Sequence, residues 1–183
     1  MTSAQTATST WTLDPVHSSA LYAIEYMGIA LFKGRFTDLS GSISLDEANP
    51  QNSKVTAAIA VNSIDVKNER LYGHLMADGF FDAEKYPQIT FNSAKVEKVS
   101  DTRWKIAGDL TLHGVSQPVT LDTEYLGQAK HPFTGETRAA FRAATTINRA
   151  DFGLTWSVAM DTGAQYVGEK VNITLEIMAG KSA

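Results

Sequence analysis

Three residue types of a hydrolytic relay lie close together near the start of the chain: Asp14, His17 and Ser18. In such a relay a carboxylate orients an imidazole, which takes the proton of a nucleophilic hydroxyl. Neighbouring residues of a strand point to opposite faces of its sheet, so His17 and Ser18 are not expected to meet. The sequence also has no Gly-x-Ser-x-Gly elbow, no phosphate-binding loop and no paired-carboxylate signature. We therefore predict that the protein is not an enzyme.

The candidate ligands for a metal ion are the imidazoles of His17, His74 and His113. They lack the short spacings of zinc sites, and the chain has no cysteine to join them. We therefore expect no metal centre and no cofactor, and we expect these residues to fix turns through hydrogen bonds. Arg149 and Asp151 are interpreted as a charge pair near one end of the fold. An arginine that points to a ligand head group is the alternative.

Composition excludes several classes of partner. The chain has 183 residues, 43% of them hydrophobic, which is enough for one domain with its own core. Its net charge of −4 offers no positive surface for nucleic acid. No run approaches the ~18 consecutive apolar residues of an integral membrane segment. Residues 1–10 are predicted to be a flexible tail without a secretory pattern, which favours a cytoplasmic location, and residues 11–183 to be the single domain.

Apolar and polar residues alternate through most of the chain, which is the period of a half-buried strand. Closing such a meander removes the exposed edges of an open sheet. We therefore predict an all-β fold, an antiparallel up-and-down barrel of about eight strands. A sandwich is the alternative, because periodicity does not show whether the last strand pairs with the first. The apolar run 29–32, between Gly28 and Gly34, is predicted to be a connection, with the next strand opening at Phe36.

A helical segment interrupts the strands between residues 70 and 91. Asn68 is a suitable N-cap, and the helix must end before Pro87, because proline disfavours helical geometry in the residue that precedes it. Its apolar side chains fall near helical spacing: Leu71, Leu75 and Phe80. A face of this kind has to pack over something apolar, so we predict a short helical cap on the barrel.

The inward faces combine small with large residues, a pattern found both in hollow barrels and in filled ones. A ligand cavity therefore stays open at this point. If there is one, its candidate contacts are large apolar residues on inward faces, in the cap or beside the last turn: Tyr22, Ile24, Phe36, Leu71, Leu75, Phe80, Phe91, Phe141, Phe152 and Trp156. Core packing is the alternative role for each aromatic residue among them.

Several motifs occur in a specific order. They are Trp-Thr-Leu-Asp-Pro-x-His-Ser at 11–18, His74-Leu75 with Phe80-Phe81-Asp82, Lys85-Tyr86-Pro87 with Phe91, Gly-Asp-Leu-Thr-Leu-His-Gly-Val at 108–115, and Asn-Arg-x-Asp-Phe-Gly at 148–153. By these motifs the chain closely resembles the YceI-like family of lipid-binding proteins. The resemblance implies an extended lipocalin-like antiparallel barrel that encloses a long polyisoprenoid, such as an isoprenoid quinone. It implies no catalytic residues.

The expected function is that of a carrier or storage protein which shields a long apolar lipid from water. The alternative is a lipocalin-like binder of a shorter amphiphile, such as a fatty acid or amide. Burial stabilises an apolar tail by ~0.8 kcal/mol per methylene, so we predict selection by tail length more than by head group. The expected partner is this hydrophobic small molecule. A homodimer is the protein assembly that an apolar rim favours.

Overall fold

The computed structural model describes residues 8–46 and 48–182. Its strands are β1 (Thr8–Leu13), β2 (Ser19–Tyr26), β3 (Ala30–Phe36), β4 (Leu39–Asp46), β5 (Lys54–Ala60), β6 (Ile64–Asp65), β7 (Gln88–Lys98), β8 (Arg103–Leu112), β9 (Val115–Lys130), β10 (Thr137–Asn148) and β11 (Val167–Lys181). Helix α1 spans Glu69–Met76, and short 3-10 turns span Pro50–Asn52, Val61–Ser63 and Arg149–Phe152. Of the predicted tail, residues 1–7 lie outside the described ranges. Residues 8–10 belong to β1, where Thr8 pairs with Asp46, so that boundary is corrected.

Six of the strand segments join in pairs to make three long strands of the wall. Both β1 and β2 pair with β11, through Leu13 with Ala179 and Ser19 with Glu176. In the same way β4 and β3 pair with β1 and β2, and β5 and β6 pair with β4 and β3. Together with β7 to β11, these composite strands give eight antiparallel wall strands among the described residues.

The wall is closed, because the last strand pairs with the first. This pairing decides between the two predicted architectures: the antiparallel up-and-down barrel is confirmed, and a sandwich is excluded. The connection predicted at residues 29–32 is wrong, since β3 runs through it and pairs with β2 along its length. Gly34 is not a break there. A Cβ on Gly34 would collide with the Tyr22 hydroxyl, so the glycine makes room for that ring.

A packed cluster secures the closure of the barrel. Trp11 of β1 is only 4% exposed and lies with Ala139 of β10 and Ala179 of β11. The small alanine side chains leave space for the indole at the point where first and last strands meet. Burial of a large apolar side chain of this kind stabilises a fold by about 1.5–3 kcal/mol.

The cap, residues 66–87, fills a gap in the wall. The ladder between β5 and β7 ends at Ala60 with Gln88, and the intervening chain leaves the sheet there. Asn68 caps α1 as predicted, with its Oδ1 accepting the backbone N–H of Leu71 at 2.9 Å. The helix ends at Met76, before Pro87 as predicted, and Asp78 and Gly79, which favour helix poorly, follow it. Phe80 therefore lies in the turns after the helix.

The strap, residues 153–166, crosses the same end of the barrel between the last 3-10 turn and β11. It folds back on itself through a bridge between Ala159 and Gln165. No helix in the described ranges is long and apolar enough to cross a bilayer.

Candidate ligand-binding site

The interior of the barrel is hollow. A cavity of about 1290 Å³ runs between the two ends of the wall. At one end it is bordered by the cap and the strap, including Trp156, and at the other by residues near the β7–β8 turn and along β9, including Asp101 and Gln128. Most of the side chains between are apolar. Of the two interiors that the sequence pattern leaves open, the structure therefore has the hollow one.

Most of the predicted contact residues line this cavity: Tyr22, Ile24, Phe36, Leu71, Leu75, Phe80, Phe91, Phe141 and Trp156. Whether they touch a ligand stays a prediction. Phe152 is different, because it does not line the cavity and is only 1% exposed. It packs among Leu112, Ile147 and Leu154, beneath the 3-10 turn to which it belongs. The choice of Phe152 as a lining residue is therefore corrected to a core residue.

Sequence reasoning missed much of the wall. The lining also includes apolar residues at inward positions of most strands, among them Leu13, Ile43, Ile59, Ile106, Tyr125, Ile173 and Leu175. The sequence did contain a signal for these lining residues, because they share the alternation that predicted the strands. Ile173, for example, pairs with Tyr22, and cross-strand partners point to the same face.

Aromatic rings join the cap to the strap. The His74 ring of α1 lies 4.9 Å from the ring of Trp156 in the strap, and the Phe80 ring lies 5.8 Å from it. Trp156 also contacts Tyr166, whose hydroxyl is 2.6 Å from that of Tyr26 on β2. We call these rings the roof cluster. His74 therefore contributes ring packing here, and its ring makes no hydrogen bond of the expected kind within the described ranges.

Tyr86 anchors the other side of the cap. Its ring lies 4.8 Å from that of His113 in the β8–β9 turn, and a Cβ on Gly114 would lie 2.5 Å from it. The His113 Nδ1 is in turn 3.3 Å from the carbonyl oxygen of Phe152. His113 thus joins the cap to the β8–β9 turn and to the 3-10 turn at Arg149–Phe152. It fixes a turn, as predicted.

Arg149 fastens the strap. Its side chain is buried, and its guanidinium donates to the carbonyl oxygens of Gly168 at 2.8 Å, Val167 at 3.0 Å and Leu154. The charge pair predicted with Asp151 is wrong: Asp151 is exposed, and no described carboxylate forms an ion pair with Arg149. Desolvation lowers the pKa of Arg149, with Glu169 acting in the opposite direction. One guanidinium therefore holds both ends of the strap.

Tyr22 has a hydroxyl without a hydrogen-bond partner. The oxygen is buried in the wall, and no described protein group bonds to it. Burial, with a smaller contribution from Asp65, raises the pKa of Tyr22 to about 12, so the phenol is neutral at physiological pH. An unpaired buried hydroxyl costs about 1–3 kcal/mol.

Asp14, His17 and Ser18 do not form a relay. Ser18 is buried, and its Oγ donates to the carbonyl of Met178 at 3.2 Å and accepts from the N–H of the same residue at 3.0 Å. His17 Nδ1 lies 2.8 Å from Asp14, which also accepts from Arg138 at 2.7 Å. These residues tie the β1–β2 connection to β10 and β11.

Comparison with known proteins agrees with this architecture. Residues 11–179 match the family model described as the YceI-like domain. The chain belongs to the YceI-like family. The resemblance inferred from the motifs is thereby confirmed.

Among relatives of this YceI-like chain is a UPF0312 protein of Vibrio campbellii, 38% identical over 136 residues, which cover 74% of this chain and 71% of that one. Among solved structures, the YCEI protein of Campylobacter jejuni is 31% identical and covers 87% of this chain and 90% of its own, with a TM-score of 0.73. A polyisoprenoid binding domain from Saccharophagus degradans, implicated in plant cell wall breakdown, has a TM-score of 0.65 at 16% identity and covers 94% and 98%. At that identity the likeness shows the fold alone.

The family motifs of this YceI-like barrel mostly build its ends. Asn148 caps the last 3-10 turn by accepting the N–H of Ala150 at 2.9 Å, and Gly153 ends it with a φ of 78°. Arg149 and Phe152, from the same motif, fasten the strap and fill the space beneath it. The motifs thus indicate how the cavity is closed rather than which residues would contact a ligand in it.

Proposed function

We propose that this YceI-like chain binds one long apolar lipid, a polyisoprenoid or an isoprenoid quinone, and shields it from water as a carrier or storage protein without catalysis. The observation that carries the proposal is the apolar cavity of about 1290 Å³ inside a closed wall. Sites for small molecules usually measure about 300–1,000 Å³, so this interior suits a longer ligand.

The free energy of burying an apolar tail is sufficient for binding in such a cavity. Each buried methylene contributes ~0.8 kcal/mol, so a few isoprene units drive binding without specific polar contacts. Strands of about 10–12 residues, rising ~3.3 Å each and tilted by ~40°, make a barrel ~25–30 Å tall. A longer tail has to bend inside or protrude. The height of the barrel therefore limits the affinity that can be gained from a longer tail.

The second candidate is a shorter amphiphile, such as a fatty acid or amide. The observation that favours it is Arg149, a lining residue of the cavity whose guanidinium has no carboxylate partner among the described residues. A fatty acid carboxylate would supply that partner. The large volume argues against it, because a short chain leaves much of the apolar surface without contacts.

Mass spectrometry of an organic extract from the purified native protein tests the proposal. We expect a co-purifying prenyl chain, and a fatty acyl chain would support the second candidate instead. A Phe141→Asp variant, prepared in parallel, is the control: a carboxylate on the cavity wall should empty the barrel before it unfolds it. Equal amounts of lipid in both extracts would place the lipid outside the cavity, and protein that takes up neither class would contradict both candidates.

The proposal includes self-association of the chain. Apolar residues near the roof are exposed, with Ile29 at 85%, Leu31 at 56% and Val158 at 55%. A second copy could cover them, since monomers rarely expose contiguous apolar patches. Size-exclusion chromatography with light scattering should give twice the chain mass, and a single-chain mass would remove self-association from the proposal.

A further inference from the structure

Tyr22 lies at the centre of an aromatic stretch of the cavity wall. It belongs to β2 and pairs with Gly34 of β3 and Ile173 of β11, which places its ring on the inner face. The rings of Phe32 and Phe36 lie 6.2 Å and 5.9 Å from it. A phenylalanine would complete this apolar surface equally well. The hydroxyl is therefore the part of the side chain that wall packing does not require.

This hydroxyl is tucked against the backbone of Gly34 instead of being paired. A Cβ at position 34 would collide with it, so the glycine provides the slot in which the end of the ring rests. Buried polar side-chain atoms almost always have a partner. Because Tyr22 lines the cavity, a change of side-chain rotamer would carry the oxygen off Gly34 toward that space.

We propose that the Tyr22 hydroxyl donates a hydrogen bond to a neutral oxygen acceptor on the bound lipid, such as a ring carbonyl of a prenylated quinone. The inference rests on the proposed function and narrows its ligand class. The raised pKa fits this role, because the phenol keeps its proton and acts as a donor. A carbonyl oxygen suits such a donor and can enter an apolar cavity without bringing a charge with it.

The test compares two ligands that share one tail. Delipidated wild-type protein and a Tyr22→Phe variant are titrated with a farnesyl benzoquinone and with the matching farnesyl benzene, which lacks the carbonyls. We expect the variant to bind the quinone about 3- to 10-fold more weakly, the range of a typical neutral hydrogen bond, and the benzene with unchanged affinity. Tyr72→Phe is the control, because its hydroxyl already donates to the Asn62 carbonyl and does not line the cavity. Its ratio of affinities should equal that of the wild type.

The possible results distinguish a failure of this inference from a failure of the proposed function. A ratio that Tyr22→Phe leaves unchanged, while the wild type binds both ligands, overturns this inference and leaves the proposed function standing. Wild-type protein that binds neither ligand overturns both. Thermal unfolding of ligand-free protein gives an independent check. Tyr22→Phe should be at least as stable as wild type, because it removes an unpaired hydroxyl, whereas a lower midpoint would show that the hydroxyl is paired in the free protein and would overturn the inference.

Discussion

The barrel is closed in two places by different kinds of contact. Along the wall, β11 is hydrogen-bonded to β1 and β2, and Trp11 is buried over the small side chains of the junction. At the end under the cap, closure depends on the roof cluster, in which His74 and Phe80 pack on a partly buried Trp156. Among the described residues, no hydrogen bond or ion pair joins the cap to the strap.

This difference implies that the stability of the fold and the access of lipid to the cavity depend on different contacts. Opening the wall would break a backbone ladder, whereas the contacts found between the cap and the strap are aromatic ones, worth about 0.5–1.5 kcal/mol each. Of these two closures, we expect a lipid to enter through the weaker one. We therefore expect residues of the wall to control the free energy of unfolding and residues of the roof cluster to control the rate of lipid exchange.

Substitution of the two tryptophans tests this separation most directly. Trp11→Ala should lower the free energy of unfolding by about 3–5 kcal/mol, because it leaves a cavity at the closure of the wall. Trp156→Ala should lower it by less, about 1.5–2 kcal/mol, because it removes three ring contacts of a half-buried side chain, each at the low end of its range. It should also speed the uptake of a fluorescent prenyl probe. Urea denaturation and stopped-flow fluorescence measure the two effects. Equal losses of stability, or unchanged uptake in Trp156→Ala, would contradict the separation.

Arg149 tests whether the strap belongs to the stable part of the molecule. Arg149→Met should cost about 2–4 kcal/mol, because it removes the guanidinium donor from three backbone carbonyls. The carbonyl of Val167 keeps a second donor, the Ser157 hydroxyl at 3.2 Å. Arg142→Met is the matched control, since Arg142 forms an exposed ion pair with Glu176 at 2.7 Å and should cost less than about 1 kcal/mol. Urea denaturation compares them. If both variants lose equally little, Arg149 does not hold the strap.

The smallest effect is expected at the start of α1. Asn68→Ala removes the N-cap, worth about 1 kcal/mol, and should raise amide exchange in Glu69–Met76 roughly fivefold while the global unfolding midpoint stays the same. Asn148→Ala removes the equivalent cap of the last 3-10 turn and should leave exchange in α1 unchanged. A shift of the global midpoint in Asn68→Ala would show that the cap unfolds together with the wall.

Alternation of residues was enough to predict the strands and their approximate number, and its interruption predicted the cap. It favoured a barrel, but the pairing of β11 with β1 and β2 was needed to exclude a sandwich. Alternation failed at residues 29–32, because Gly34 has the signature of a break although it serves as a slot for Tyr22. For α1, the end before Pro87 was predicted, but the helical spacing extended too far. Spacing put Phe80 on the helix, whereas Asp78 and Gly79 end it earlier.

The candidate site was predictable where it follows strand periodicity and not where it depends on local packing. Inward residues such as Phe91 and Phe141 line the cavity as their alternation indicated. Phe152 and Arg149 could not be placed in this way, because a 3-10 turn has no long period and its side chains are set by tertiary contacts. The unpaired hydroxyl of Tyr22 is likewise a property of packing that only the folded chain shows.

The most direct test of the central claim is a titration of delipidated protein with prenyl alcohols of increasing length, from geraniol through farnesol and geranylgeraniol to solanesol, followed by tryptophan fluorescence. We predict one lipid per chain and an affinity that rises with each isoprene unit until the tail fills the cavity, and then levels off. An affinity that is independent of tail length, or that follows the head group alone when the alcohol is replaced, would contradict a barrel that binds lipid by enclosing its tail.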